Sequence, residues 1–262
     1  MQRDLLPGTS KRASVLALLL FAVGCSSVSE LDSTAVGTPV PGVTFTTITD
    51  SLAADPGLES LVTPFRAEMS TLTAEVIGTT PRELTSGRPE GTLGNFAADA
   101  LLWSARRHAD RPVHIALTNN GGLRTTVGPG DITVGRMFEL MPFENMVVLI
   151  ELTAAEVDSL ATQLARNGGD PIAGFELVID AAGERAESVT IGGSPLHPDS
   201  SYTLATSDYL ANGGGPYTIL WSVTRRRELP LLLRDAFIEY VHDRGTIDPQ
   251  LDGRITSSEA GQ

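Results

Sequence analysis

Two hydrophobic periods are interleaved along this chain, and that mixture leaves few folds open to it. From Pro56 to Val76 the apolar residues Leu58, Leu61, Val62, Phe65, Met69, Leu72 and Val76 fall three or four apart, the spacing of an amphipathic helix. A turn-rich link, GTTPRELTSGRPEG, follows. A second helix runs from Thr92, a candidate cap, through Phe96, Ala97, Ala100, Leu101 and Trp103 to Arg107. Thr153 opens a third, with Glu156 at capping-box spacing and Val157, Leu160 and Leu164 on one face. A fourth is predicted over Glu228 to Arg244, with Pro230 in its first turn. Between them lie short apolar runs of strand character at Val113–Thr118, Asp131–Val134, Met146–Leu152, Phe175–Ile179, Ser188–Ile191 and Tyr202–Thr206, with IGGSPL as a hairpin turn. Helices and strands alternate without strict order, so the expected class is α+β (mixed α/β) in one domain.

At 262 residues and 41% apolar content the chain can bury a substantial core. The formal charge is −13. Residues 1–24 carry three cations and one acid, so without them the charge is −15. Such a field repels polyanions, which excludes nucleic acid as a partner, while a few local arginines still suffice for a small phosphorylated ligand. Lys11 is the sole lysine, and with Arg12 it precedes ASVLALLLFAVG, an apolar run too short to span a bilayer. AVGC followed by Ser26 and Ser27 resembles a bacterial lipobox, with Ala22 where Leu is commoner. Cys25 is the sole cysteine, so no intrachain disulfide forms, and lipidation accounts for a lone thiol in an exported chain. The expected organisation is a lipoprotein signal peptide over 1–24, a flexible tether over 25–54, a folded domain over 55–250 and a disordered tail over 251–262. That places the protein outside the cytoplasm, attached to a membrane only through its lipid anchor.

Two glycine-rich loops follow predicted strands. The first is TNNGGLR, where Gly121 and Gly122 let the backbone turn off the strand and Arg124 presents a planar guanidinium. The second is DYLANGGGP, where Tyr209 precedes Gly213, Gly214 and Gly215. Neither has the order of a dinucleotide or P-loop fingerprint. LMPFENM places Phe143 just before a third strand. Phe143 and Tyr209 therefore sit at the mouth of a sheet, where two ring faces can hold a planar heterocycle or can simply be core.

Residues 56–222 resemble the C-terminal, substrate-binding domain of the 5′-nucleotidase and UDP-sugar hydrolase family, in the ordered segments VIGTT, TLGNFAADAL, NNGGLR, GDITVGRMFELMPFEN and SDYLANGGGPY. The resemblance implies that Asn119, Arg124, Phe143, Asn145 and Tyr209 contact a nucleotide or nucleoside-like ligand, and it adds Arg88 as a further phosphate contact. It also implies a departure, because an Asp that helps hold sugar hydroxyls in the family is here Gly215, followed by Pro216. Family members cleave phosphate esters with a separate metallophosphatase domain whose paired metals need clustered histidines and acids. Here His108, His114, His197 and His242 are scattered, so no metal ligands, no cofactor and no catalytic residues are expected in this chain. No Ser stands in a nucleophile elbow. The resemblance thus implies a ligand-binding protein whose hydrolysis would require a separate metallophosphatase chain. The alternative is a surface scaffold that has lost nucleotide recognition.

Overall fold

The computed structural model describes residue 49 and residues 53–258. The expected signal peptide, Cys25 and nearly all of the expected tether lie outside the described residues. In chain order the elements are α1 (Pro56–Thr73), β1 (Val76–Thr80), α2 (Thr92–His108), β2 (Ile115–Leu117), β3 (Gly130–Thr133), α3 (Val134–Leu140), β4 (Met146–Thr153), α4 (Ala154–Arg166), β5 (Ile172–Ala173), β6 (Phe175–Ile179), β7 (Ala186–Ile191), β8 (Ser194–Pro195), β9 (Ser201–Ser207), α5 (Asp208–Ala211), α6 (Thr218–Ser222), β10 (Arg226–Leu232), α7 (Leu233–Arg244) and β11 (Ile255–Ser257). The fold is mixed α/β, as the two periods predict.

A five-stranded sheet in the order β10-β4-β9-β2-β5 forms the centre. Its strands alternate faces as period two requires. Val147 and Leu149 of β4, Ala116 of β2 and Ala205 of β9 join a core with Phe96 and Leu101 of α2 and Phe237 of α7. Val148, Ile150, Ile115, Leu117 and Leu204 point the other way, into a second core with Val157, Leu160 and Leu164 of α4. The expected capping box opens α4: Glu156 N donates to Thr153 Oγ1 at 3.3 Å, and Thr153 N donates to Glu156 Oε2 at 2.8 Å. A four-stranded sheet, β11-β6-β7-β8, flanks this second core, and β1 pairs antiparallel with β3.

Several expectations are corrected. Helix α1 ends at Thr73, and Val76–Thr80 is a strand rather than helix end and link. Its apolar stripe is not buried: no residue of α1 is. Thr92 does not cap α2. Gly91 occupies the N-cap, and Thr92 Oγ1 instead accepts from Thr85 N at 3.1 Å. The predicted helix over 228–244 is a strand as far as Leu232, because Arg226, Arg227 and Glu228 pair with Ile150, Leu149 and Val148 of β4. Leu229 and Leu231 are buried while Pro230 points outward, at an irregularity of an edge strand where its missing N–H is harmless. The tail expected to be disordered from 251 carries β11, which pairs parallel with β6. Arg254 fastens it, bonding Asp99 at 2.8 Å, Asp252 at 2.7 Å and the Ile172 carbonyl at 2.9 Å.

A ligand-sized cavity at one end of the central sheet

Strand order explains why distant loops meet. β4, β9 and β2 are neighbours, β2 runs parallel to β9, and β4 runs antiparallel to β9. The C-terminal ends of β2 and β9 and the N-terminal end of β4 therefore share one edge. The residues after β2 are Asn119–Arg124, those before β4 are Phe143–Asn145, and Tyr209 lies in α5 directly after β9.

Asn119, Gly121, Gly122, Arg124, Phe143, Asn145 and Tyr209 line a cavity of about 360 Å³, within the size range of small-molecule sites. Other surface clefts are of similar size, including one along Arg225–Arg227 and one beside Arg254. This one is distinguished by its lining, two exposed aromatic rings beside an arginine and two asparagines.

Two large rings stand open here. Phe143 is 41% and Tyr209 48% exposed, and neither stacks on another ring among the described residues. Both therefore have a face free for a planar partner. Arg124 is exposed and held at its base, with its backbone N–H on the Leu140 carbonyl at 2.9 Å and its Nη1 on the Gly121 carbonyl at 3.1 Å. The remaining guanidinium donors make no hydrogen bond among the described residues. The side-chain amides of Asn119 and Asn145 likewise make no hydrogen bond to protein among the described residues. Together these groups offer one cation, two amides and two ring faces around a single volume.

The glycines differ in their work. Gly214 supports Tyr209: a Cβ there would lie 2.2 Å from the Tyr209 ring. Gly213 has φ +97°, a left-handed conformation that favours glycine, and packs against Trp221. Gly121 and Gly122 lie in a 3-10 turn beside the Asn119 side chain, where an added Cβ would meet it at 3.4 and 3.3 Å. At Gly215 an added Cβ would meet the tip of the Leu210 side chain, Cδ2, at 2.7 Å, so a larger residue there requires that side chain to shift.

Arg88 does not join the cavity. Its guanidinium donates to the Asn167 and Gly169 carbonyls and to Asp170 Oδ1, the last at 3.1 Å. Asp170, buried between α4 and β5, is the residue that sequence reasoning missed. It also accepts from Asn120 N and Asn120 Nδ2, each at 3.1 Å, from Asn167 Nδ2 at 2.8 Å and from the Tyr217 hydroxyl at 2.6 Å. One carboxylate thus fastens both glycine loops from beneath, through Asn120 in the first and Tyr217 just beyond the second. Burial first, and Asp170 next, push the Tyr217 phenol far above its ordinary range, which keeps it a donor. Arg234 was also missed. It is buried, lies 3.9 Å from the Phe138 ring and reaches the Met141 and Phe143 carbonyls at 3.3 and 3.5 Å, fixing the loop that presents Phe143.

Among the described residues no group of three or more His, Cys, Asp or Glu side chains is placed to hold a metal ion. His108 meets Glu239 at 3.0 Å, and His114 Nδ1 accepts from Thr203 N at 2.9 Å.

The model of the 5′-nucleotidase C-terminal domain matches residues 72–221, more than half of the chain and a range that contains every residue of this cavity. The chain belongs to the 5′-nucleotidase C-terminal domain family. This 5′-nucleotidase C-terminal domain is 30% identical over 212 residues to the trifunctional nucleotide phosphoesterase YfkN of Bacillus subtilis, an alignment covering 73% of the chain and 14% of the relative. It is 29% identical over 187 residues to the cell wall protein Lmo0130 of Listeria monocytogenes, covering 63% of the chain and 23% of the relative. Its fold matches the crystal structure of a 5′-nucleotidase precursor from Thermus thermophilus with a TM-score of 0.67 at 25% identity, over 78% of the chain and 43% of that structure. The 5′-nucleotidase C-terminal domain therefore spans less than half the length of each of these proteins.

Proposed function

We propose that this chain binds a nucleotide or nucleoside-type ligand, with the base held between Phe143 and Tyr209, the phosphate at Arg124, and Asn119 and Asn145 as polar contacts. The observation that carries the reading is the convergence of these five side chains, from three loops, on one open volume. A base offers two aromatic faces, and a phosphate matches the fork of an otherwise uncommitted guanidinium. Membership of a 5′-nucleotidase domain family, and a relative named as a nucleotide phosphoesterase, support this ligand class.

The binding chain does not itself supply the hydrolytic chemistry in this reading. Metal-activated attack on phosphate needs several converging ligands, so hydrolysis falls to a separate metallophosphatase chain acting on the presented ligand. The protein works outside the cytoplasm, held to a membrane through Cys25. The sequence around that cysteine supports this, as does a relative named as a cell wall protein.

A second reading, a scaffold without nucleotide recognition, is favoured by Gly215, which stands where the family resemblance implies an acid that helps hold sugar hydroxyls. Calorimetric titration of the wild type and Phe143→Ala with adenosine, a nucleoside monophosphate and a UDP-sugar separates the two. Heat that depends on Phe143 supports ligand binding. Silence with all three, from folded protein, leaves the scaffold.

A further inference from the structure

Asp170 is 3% exposed, and the five donors around it divide between its two oxygens. Oδ1 accepts from Asn120 N, Asn120 Nδ2 and Arg88 Nη2, each at 3.1 Å. Oδ2 accepts from Asn167 Nδ2 at 2.8 Å and from the Tyr217 hydroxyl at 2.6 Å. A buried ion pair is a weak source of stability, because well-packed apolar groups of similar volume serve as well. They cannot gather donors from four places in a chain. A carboxylate can, since it carries two acceptor oxygens and no donor of its own.

Each oxygen leads to a different part of the cavity. From Oδ1 the path runs through Asn120 to its neighbours Asn119 and Gly121, and the Gly121 carbonyl accepts from Arg124 Nη1 at 3.1 Å. The adjoining Pro171 carbonyl accepts from Thr118 N at 3.0 Å, which ties the same loop at its start. From Oδ2 the path runs through Tyr217 to the second glycine loop. There Gly214 N donates to the Tyr209 carbonyl at 2.8 Å, and Gly214 lies against the Tyr209 ring. Asn119 and Arg124 thus hang from one oxygen and the Tyr209 ring from the other. Phe143 is held apart from both, by Arg234.

We infer that Asp170 is a positioning residue whose carboxylate plane sets the place of Tyr209 relative to Asn119 and Arg124, fitting ring and cation to a single ligand. The binding part of this inference rests on the nucleotide reading above. The register of the two loops does not.

The two sides of the carboxylate differ in what they tolerate. Arg88 Nη2 and Asn120 N can only donate, whereas the Tyr217 hydroxyl can rotate to accept and the Asn167 amide can turn its oxygen inward. Asp170→Asn therefore keeps its oxygen towards Asn120 and turns its NH2 towards Tyr217, and the Arg88 side chain, 44% exposed, is left to water. The lesion falls on the Tyr209 side.

The test is Asp170→Asn in the full chain, shown to be folded by its thermal melt. In ligand-free protein, amide-resolved hydrogen exchange should quicken severalfold at Gly214 and stay near the wild-type rate at Asn120. Adenosine affinity should fall about tenfold. In this background Tyr209→Ala should cost roughly half or less of its wild-type effect on a logarithmic scale, while Arg124→Ala keeps its full effect on a nucleoside monophosphate. A merely structural Asp170 gives additive losses and equal exchange at both amides, and either result overturns the inference. Tyr217→Phe attacks the same side from the other end and is expected to repeat the pattern, so the test survives an Asp170→Asn chain that does not fold. A wild type silent with both ligands, beside selective exchange at Gly214 in the variant, would refute nucleotide binding and leave Asp170 as what registers the loops.

Discussion

The Tyr217 hydroxyl donates to the buried Asp170 carboxylate at 2.6 Å, and the same oxygen pair also draws in Asn120 of the opposite loop, so two glycine-rich segments share one anchor. Tyr217→Phe removes a hydrogen bond to a charged acceptor from a fully buried position. It should cost about 2 kcal/mol in stability. Urea denaturation measures this directly, and a change below the error of the method would show that Asn120, Asn167 and Arg88 suffice.

Phe143 and Tyr209 are exposed, so truncating them leaves the core intact. Phe143→Ala and Tyr209→Ala should each weaken nucleoside binding by about 1–3 kcal/mol, roughly 5- to 150-fold, with little change in the unfolding midpoint. Calorimetry beside thermal melts reads both quantities. Equal affinity in wild type and variants refutes the aromatic clamp.

Arg124→Ala should lower affinity for a nucleoside monophosphate by about 2 kcal/mol, roughly thirtyfold, while leaving adenosine binding nearly unchanged. The comparison of the two ligands isolates the phosphate. Equal losses for both would place Arg124 in positioning the loop instead.

Gly214→Ala forces a methyl into the space 2.2 to 2.4 Å from three Tyr209 ring atoms. The exposed ring moves and the backbone stays, so affinity should fall several-fold with stability altered by no more than about 1 kcal/mol. A melt shifted far beyond that would mean that the loop, not the ring, yields.

His114 supplies the acid-side pH response. Burial, with Arg106 nearby, holds its imidazole below the ordinary value of 6.5, and its Nδ1 must stay unprotonated to accept from Thr203 N. Because the folded-state value is depressed, the unfolded chain takes up protons first as pH falls. The His114 contribution is complete above 6.5 and is lost progressively below it. Denaturant midpoints measured across that range should decline for wild type and decline less for His114→Gln.

From the sequence, Arg124, Phe143 and Tyr209 could be read as candidates because each lies beside a strand run and a turn signal, and Asn119 and Asn145 through the family resemblance; that all five line one cavity follows from the strand order. Asp170 could not be read. It lies in GGDP, which reads as a loop, and its burial is imposed by residues 47 to 82 positions away. β10 was hidden by composition: the run LPLLL satisfies helical spacing, and only pairing with β4 selects period two. The stripe of α1 was legible as a stripe, but a single chain does not say what faces it. β11 places only Ile255 in the core and owes its place to Arg254 and to β6.

Arg254 and Asp99, at 2.8 Å, are 155 residues apart in the chain. A ribosome makes the acid long before the cation, and the outer strand of the four-stranded sheet arrives with the cation. Most of the molecule can be assembled while this clasp is still being translated. A chain stalled or clipped before residue 254 carries Asp99 without its partner and leaves the open edge of β6 beside it. Such an edge is an invitation to unfold, to pair with a stranger or to be degraded. Asp99 and the edge of β6, both set earlier in the chain, thus depend on residues after Asp252 for their partners.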